Sequence, residues 1–462
     1  MKKNAWLFKD YWRAKRAFDD EVREEQVNAK RRDALREILD QHGSDGMLRL
    51  VAEAEAPEEV GTTFAEVGMA EYEARILPSL LVSFDGKLAL FAKGYARGHW
   101  RKNGMEWLGS LETKDWSADQ LGQVLALLPF KQETWNFIAA QGAAVEDWYW
   151  SKAPILSRGN DAEEAKYAVN RLLKHKRPAE AINVLGMALH GNADLDSSLL
   201  MDALQSRPED VDLNRHYSIK YYVHFIIQRL QERVEEGGSE VDVQRLAGLE
   251  WTYLDLLDDH PASPITLRGL LRDRPDFFVN VLALIFRPKS QKNPPEPTEE
   301  EKQRAHNAYR LLMAWRDVPG QRGDQTIDEE ALSQWVKTAL DQAKEKDILE
   351  VAESRIGQVF AWAPGEPDGA WPCIAVRDVL EDTESEEMFN GFQSGIYNKR
   401  GVVSRSIREG GAQDRALAEE YRKHADSCQV DWPLTAASFR RVAAGYEEDA
   451  RRADDDVEAR LG

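Results

Sequence analysis

The chain has 462 residues, 42% of them hydrophobic and 31% charged, and its 81 acidic against 61 basic residues give a formal net charge of −20. This balance argues against broad binding along a nucleic-acid backbone, although a local basic patch still allows it. No run of 18 apolar residues occurs, and the N-terminal MKKNAWLFKDYW lacks the apolar core of a signal peptide. A cytoplasmic protein without a membrane span is therefore expected.

Residues 1–40 predict a basic helical arm. Between Met1 and Arg36 there are eleven Lys or Arg against seven Asp or Glu, in an otherwise acidic chain. A basic amphipathic helix can dock on a membrane, on nucleic acid or on an acidic partner. The alternative is that the arm packs on the acidic body of its own chain.

Residues 41–289 predict a helical repeat domain. Apolar helical segments of roughly 20 residues alternate with Pro, Gly or Asp/Asn, which is typical of stacked helical hairpins. We therefore expect an all-α fold, an irregular α-solenoid in the style of HEAT and tetratricopeptide repeats. Asp85-Gly86 lies between two apolar runs, as in a β-hairpin, but the helical spacing of Leu77, Leu80 and Leu81 favours a turn between helices.

A boundary follows at residues 290–301, SQKNPPEPTEEE, which combine three prolines with an acidic end and no apolar side chain. This composition is typical of an exposed linker. Residues 302–462 then predict a C-terminal helical domain, which contains a Gly/Arg-rich loop at 395–415.

That loop, GIYNKRGVVSRSIREGGAQDR, is the long segment without a helical apolar period. Its positive charges and glycines suit an anion such as a phosphate, a nucleotide or the carboxylates of a protein partner. The alternative is that its arginines pair with acids of the same chain. The candidate binding residues are Tyr397, Asn398, Lys399, Arg400, Arg405, Arg408 and Arg415, together with Trp148 and Trp150.

The two tryptophans are included because the chain has fourteen of them. Aromatic rings can line a recognition groove, and Trp148, Tyr149 and Trp150 cannot all face one core. The alternative is that most of these rings occupy helical core positions.

Motifs for catalysis are absent from the sequence: it contains no GxxxxGK[ST], GxGxxG, GxSxG or HExxH. The histidines are scattered, and Cys373 and Cys428 lie far apart and outside metal-binding spacing. We therefore assign no catalytic residue, metal ligand or cofactor from the sequence.

The run GIYNKRGVVSRSIREGGAQDRALAEEYRKHADSCQ, the opening RRDALREILDQHGSDGMLRLVAEAEAPEEVG and the segment AYRLLMAWRDVPGQ resemble the C-terminal helical repeat region of large bacterial proteins. The resemblance covers most of the chain. It implies multi-domain defence or signalling architectures, in which an effector or ATPase domain precedes a helical sensor. It carries over no catalytic residue.

Three functions remain open at this stage. The favoured one is a non-enzymatic scaffold or sensor that binds a protein partner or a separate effector subunit, in bacterial anti-phage defence. The second is an all-α enzyme, a toroid with an acidic, Trp-lined cleft that acts on a glycan or nucleotide. The third is nucleic-acid binding through the arm and the Lys399–Arg408 cluster.

Overall fold

The computed structural model describes residues 5–9, 21–67, 72–155, 161–206, 217–238, 240–257, 263–291, 295–367, 369–401, 404, 406 and 409–461. Within these residues the regular structure is helical, apart from one isolated bridge between Gln321 and Ile327. The all-α prediction is confirmed. No helix of the described residues combines the length and apolar character that crossing a bilayer requires.

The chain divides into two compact units, Met1–Ile226 and Ile227–Gly462. This division falls within a helix, and the domain boundaries predicted at residues 40 and 290–301 stay predictions. The helices of the first unit are α1 (Glu21–Glu53), α2 (Pro57–Val67), α3 (Glu73–Ile76), α4 (Gly86–Ser110), α5 (Ala118–Leu125), α6 (Gln132–Ala140), α7 (Ala143–Lys152), α8 (Ala162–Lys174), α9 (Pro178–His190), α10 (Ser197–Gln205) and α11 (Tyr217–Glu235), which continues into the second.

The second unit contains the remaining helices and a core that includes Phe278, Trp315 and Trp335, whose ring centroids lie 5.2 to 6.0 Å apart. Its helices are α12 (Val243–Thr252), α13 (Leu254–Leu257), α14 (Ile265–Asp273), α15 (Pro275–Ile285), α16 (Glu299–Ala314), α17 (Glu329–Glu345), α18 (Leu349–Phe360), α19 (Ile374–Thr383), α20 (Glu386–Arg400), α21 (Ala412–Cys428) and α22 (Pro433–Leu461).

The predicted linker is partly helical. Thr298 and Glu301 form a reciprocal capping box, so α16 begins at Glu299, inside the predicted linker. Residues 292–294 lie outside the described residues. At the other predicted turn, Asp85 accepts hydrogen bonds from the backbone N–H groups of Lys87 and Leu88 and starts α4, which confirms the helical interpretation of Asp85-Gly86.

The N-terminal segment packs onto the first unit. A short 3-10 helix at Trp6–Phe8 buries the ring of Phe8, and the Ala56 N–H donates to the Phe8 carbonyl over 2.9 Å. Helix α1 runs through the predicted boundary at residue 40 and kinks at Gly43, whose φ of 57° suits glycine. The described part of the arm therefore follows the alternative, packing on its own chain; residues 1–4 and 10–20 lie outside the described residues.

Helices α2 and α4 pack so closely that their contact requires glycine. A Cβ atom added to Gly94 would collide with the Glu58 carbonyl, and one on Gly98 would lie 2.7 Å from the Ala65 Cβ. Gly94 lies against Glu58, and four residues later Gly98 lies against Thr62. The contacts advance in the same chain direction along both helices, so the helices are parallel. This pair is therefore a parallel one, joined through residues 68–85, and not an antiparallel hairpin.

Helices α18 and α20 of the second unit repeat this arrangement. A Cβ on Gly391 would collide with the Ser354 carbonyl, and one on Gly395 would lie 2.8 Å from the Ala361 Cβ. Gly357 corresponds to Gly61 in both sequence and contact. The repeat is visible in the sequence, since residues 94–104 read GYARGHWRKNG and residues 391–401 read GFQSGIYNKRG.

This repeat corrects the prediction of a loop at 395–415. Gly395 to Arg400 form the last part of α20, and Ala412 to Arg415 the first turn of α21, so both ends of the predicted loop are helical. The apolar period of α20 is weak here because Gly391 and Gly395 occupy inward positions where a helix usually carries a large side chain.

Candidate functional site

The second unit contains an open cleft of about 330 Å³ between α15, α16, α18 and the start of α20. Its apolar wall consists of Leu282, Ile285, Phe286, Leu312, Met313 and Val351. Its polar lining consists of Tyr309, Glu350, Ser354, Arg355, Gln358 and Glu387. We call it the Arg355 cleft.

Large apolar side chains are unusually accessible in this cleft. Phe286 and Met313 are each 39% exposed, and Tyr309 is 51% exposed. Single exposed apolar residues are ordinary on a protein surface, but three converging on one concavity mark a contact site.

Arg355 is buried in this cleft without an opposite charge. Its side chain donates to the Gln358 amide oxygen, its Nε has no hydrogen-bond partner, and it pairs with no carboxylate among the described residues. The residue is only 7% exposed. Burial, and the charge of Arg316 as a second cause, lower the pKa of Arg355 to about 10, so it remains a cation near neutral pH.

The carboxylates of the cleft lie at its rim. Glu350 and Glu387 are both exposed, and Glu350 forms an ion pair with Lys289. The cleft therefore presents a cation at its floor and negative charge at its mouth. Within the described ranges, no three His, Cys, Asp or Glu side chains converge as a metal site needs.

The repeat shows what covers the same helix face in the first unit. Counted from the shared glycines Gly61 and Gly357, Glu55 and Glu59 of the first unit correspond to Val351 and Arg355 of the second. Both Val351 and Arg355 line the cleft.

In the first unit the chain itself occupies that face. Glu55 pairs with Lys9 over 3.8 Å, and Glu59 pairs with Arg31 over 3.0 Å. Arg31 also donates to the Leu7 carbonyl and lies over the Phe8 ring. The face that is open in the second unit is thus covered by an apolar segment in the first.

The predicted binding residues at the end of α20 are largely engaged within the chain. Lys399 lies over the rings of Trp362 and Trp371 and donates to the Ala361 carbonyl over 3.3 Å. Burial lowers the pKa of Lys399. The Tyr397 hydroxyl donates to the Val442 carbonyl, and Asn398 is exposed.

The arginines of this region also contact acids of the same chain. Arg400 forms an ion pair of 2.6 Å with Asp414, which is fully buried, and Arg415 pairs with Asp454 over 2.5 Å. Internal pairing, the alternative weighed from the sequence, therefore describes both residues. Arg405 and Arg408 lie outside the described residues, so their binding role stays a prediction.

The two predicted tryptophans lie in the first unit and belong to its packing. Trp150 is 1% exposed and contacts Phe130, Trp135 and Tyr167. Trp148 donates through Nε1 to Asp119 over 2.6 Å and covers Gly122. Trp150 offers no ring to a partner, and Trp148 is only partly accessible.

The Arg355 cleft was missed in the sequence because its residues come from four separate helices. One signal was present: besides the match between residues 94–104 and 391–401, residues 60–65 (VGTTFA) match residues 356–361 (IGQVFA), with an offset one residue smaller. The second match pairs Glu59 with Arg355, which reverses a charge at a buried position.

Comparisons with known proteins give no family for this chain: no family model matches it, and no curated protein matches it in sequence. Among solved structures it is similar to one described as a circular tandem repeat protein with novel repeat topology and enhanced subunit contact surfaces. The identity is 14%, the match covers 95% of this chain and 91% of the other, and the TM-score is 0.16. At that score the similarity carries no argument about fold or function.

Proposed function

We propose that the chain is a helical scaffold that binds a protein partner, and that the Arg355 cleft receives an apolar segment of that partner. The observation that supports this proposal is a difference between the equivalent helix faces of the two units. In the first unit the equivalent helix face is covered by the segment that contains Leu7 and Phe8. The same face of the second unit is open and lined by Phe286 and Met313.

The composition of the cleft suits protein recognition. Aromatic residues, methionine and arginine are the side chains enriched at protein interfaces, and Phe286, Tyr309, Met313 and Arg355 all line this cleft. A flexible methionine also adapts to the shape of an entering side chain.

The cleft does not supply what the enzyme alternative requires. Acid catalysis by a carboxyl group needs one that is isolated in an apolar environment. Glu350 and Glu387 are exposed, and Glu350 is already paired with Lys289. The geometry therefore favours binding over hydrolysis.

A peptide library tests the binding proposal. Random eight-residue peptides, displayed with free C-termini, are selected on the full chain, and the selected peptides are measured by fluorescence polarisation. Met313→Glu places a charge on the apolar wall and is expected to abolish binding. Val243→Glu is the matched control, because Val243 is similarly exposed on α12 and does not line the cleft.

Two results decide this proposal. Loss of binding in Met313→Glu and retention in Val243→Glu support it. Selection of no peptide, or equal binding by both variants, overturns it. Circular dichroism of both variants verifies that the helices are intact.

A role in bacterial anti-phage defence, with an effector domain or subunit, is the cellular setting we propose. It is supported by the resemblance of residues 395–429 and of the other two segments to helical regions of bacterial proteins. The test is the plating efficiency of phage on bacteria that express the chain with its neighbouring genes. We expect protection by the wild-type chain that Met313→Glu removes; equal plating with and without the wild-type chain contradicts the role.

A further inference from the structure

The uncompensated charge of Arg355 identifies the kind of group that enters the cleft. A buried arginine without a carboxylate is costly, because its desolvation is not offset by a nearby negative charge. Arg355 lines the cavity, so an entering ligand can reach its guanidinium group. The ligand group that satisfies it has to accept hydrogen bonds and carry negative charge.

The first unit shows how an arginine is satisfied on this face. Arg31 donates to a backbone carbonyl of an apolar segment, that of Leu7, and also pairs with the Glu59 carboxylate. Arg355 itself occupies the position of Glu59, and among the described residues it has neither a backbone carbonyl nor a carboxylate as partner. A terminal carboxylate supplies an acceptor and a negative charge in a single backbone group.

We propose that the Arg355 cleft recognises the free C-terminus of an apolar-ended peptide, with the terminal carboxylate on Arg355 and the last side chain against Leu312, Met313 and Phe286. This inference rests on the proposed function and names the group that the cleft selects. The volume of about 330 Å³ lies at the small end of ligand pockets. It suits the end of a chain, which needs no path for a continuing backbone.

The rim charges set a second preference. The two rim acids, Glu350 and Glu387, exceed in number the Lys289 that pairs with Glu350, so they repel an unattached small anion and attract a peptide with Lys or Arg shortly before its end. The cleft is therefore specific for a basic segment that ends in an apolar residue. Inorganic phosphate, which lacks both features, is expected not to compete.

The test compares each selected peptide in two chemical forms, the free acid and the C-terminal amide. Removing one partner of a buried charge pair costs about 2 kcal/mol or more, which corresponds to roughly 30-fold in affinity. We therefore expect the amide to bind the wild type at least about 30-fold more weakly than the acid. Arg355→Gln is expected to lose the same factor for the acid and little more for the amide.

Control variants separate charge from fold. Arg316→Gln removes a nearby positive charge that does not line the cleft, and we expect it to change acid binding by less than about 3-fold. Arg355→Lys keeps the charge but not the planar fork, so an intermediate loss is expected. Urea unfolding and circular dichroism establish that each variant is folded before its affinity is compared.

The failures of this inference and of the proposed function are distinguishable. Equal binding of acid and amide to the wild type, with loss in Met313→Glu, overturns carboxylate recognition and leaves an apolar docking cleft. Selection of no peptide overturns both. Binding of lauric acid that depends on Arg355, without any selected peptide, identifies a small-molecule site and also overturns both.

Discussion

The α2–α4 pair of the first unit and the α18–α20 pair of the second share one design and differ in what covers them. Both are parallel helices held at close approach by three glycines. On the outward face of the first pair, Glu59 is neutralised by Arg31 beneath the N-terminal segment. On the outward face of the second pair, Arg355 opens into a cleft.

This difference shows that packing and binding occupy separate faces of the same helix pair. In each pair, the three glycines at the helix contact, which we call the glycine seam, fix how the two helices meet. They place no constraint on the residues of the outward face. A reversal of charge at one position, from Glu59 to Arg355, then separates a face closed by its own chain from one that needs an outside acid.

Arg31→Met is expected to have the largest effect on stability. It removes the Arg31 cation from its pair with the Glu59 carboxylate, which is buried at 8% exposure, and breaking a buried pair in this way costs about 3–5 kcal/mol. The measurement is the urea midpoint of the first unit, followed by circular dichroism.

The control is the double variant Arg31→Met with Glu59→Leu, which removes both charges together. It should recover most of the lost stability, because both charges of the buried pair are removed together. A double variant as unstable as Arg31→Met alone contradicts the role of the pair.

Gly94→Ala and Gly391→Ala are expected to destabilise the two units by similar amounts. In both variants the new methyl group meets a backbone carbonyl, which cannot rotate away, and overpacking of this kind costs about 1–3 kcal/mol. Urea unfolding of each variant gives the change in free energy. A large loss of stability in Gly94→Ala with none in Gly391→Ala contradicts the conclusion that both helix pairs are held by equivalent glycine contacts.

Gly248→Ala is the matched control for both. Gly248 is a helical glycine of α12 with no atom near its Cβ position, so alanine is expected to stabilise the helix by about 0.5–1 kcal/mol. Glycine to alanine is thus expected to lower the free energy of unfolding where the helices are in close contact and to raise it where the Cβ position is open. A loss of stability in this control contradicts the comparison, because alanine then destabilises a helix even where its methyl group meets no atom.

Arg355→Met is expected to stabilise the second unit, by about 1 kcal/mol. The change removes an unpaired buried cation and adds an apolar side chain to an apolar wall. The melting temperature, measured without peptide, should rise. A fall comparable to that of Arg31→Met indicates that the second unit satisfies Arg355 internally.

The helices were predictable because their signals are local. The apolar spacing on either side of Asp85-Gly86 places helices without reference to distant residues, whereas the cap at Thr298 lay inside the predicted linker and was not recognised. The parallel pairing of α2 with α4 was not predictable from periodicity. Glycine leaves no apolar signal at the seam, so residues 395–400 resemble a loop although they are helical.

The sequence predicted the type of binding site but not the residues that form the candidate site. A partner surface with arginine and aromatic rings was expected, but the residues chosen, Arg400 and Trp150, are satisfied by acids and rings of their own chain. Whether an arginine is paired internally depends on contacts between distant helices. Arg355 lies in an ordinary helical sequence, and only its tertiary surroundings distinguish it.

The smallest expected effect concerns pH and a second difference in the glycine seam. His99 follows Gly98, at the position where the second unit has Ile396 after Gly395. Its ring packs between Tyr95 and Trp107, and neither ring nitrogen has a partner among the described residues. Burial lowers the pKa of His99, while the charges of Glu73 and Lys102 act in opposite directions.

Because the folded state holds His99 neutral, the unfolded chain binds its proton first as the pH falls. Stability from this group is complete above the unfolded pKa of about 6.5 and declines below it, until the folded pKa is reached. We expect His99→Ile to reduce the drop in urea midpoint between pH 7.5 and pH 5.5. The mirror variant Ile396→His should increase the fall in urea midpoint of the second unit over the same pH range. If neither variant changes the fall in urea midpoint, a histidine at this position does not contribute to the pH dependence of stability.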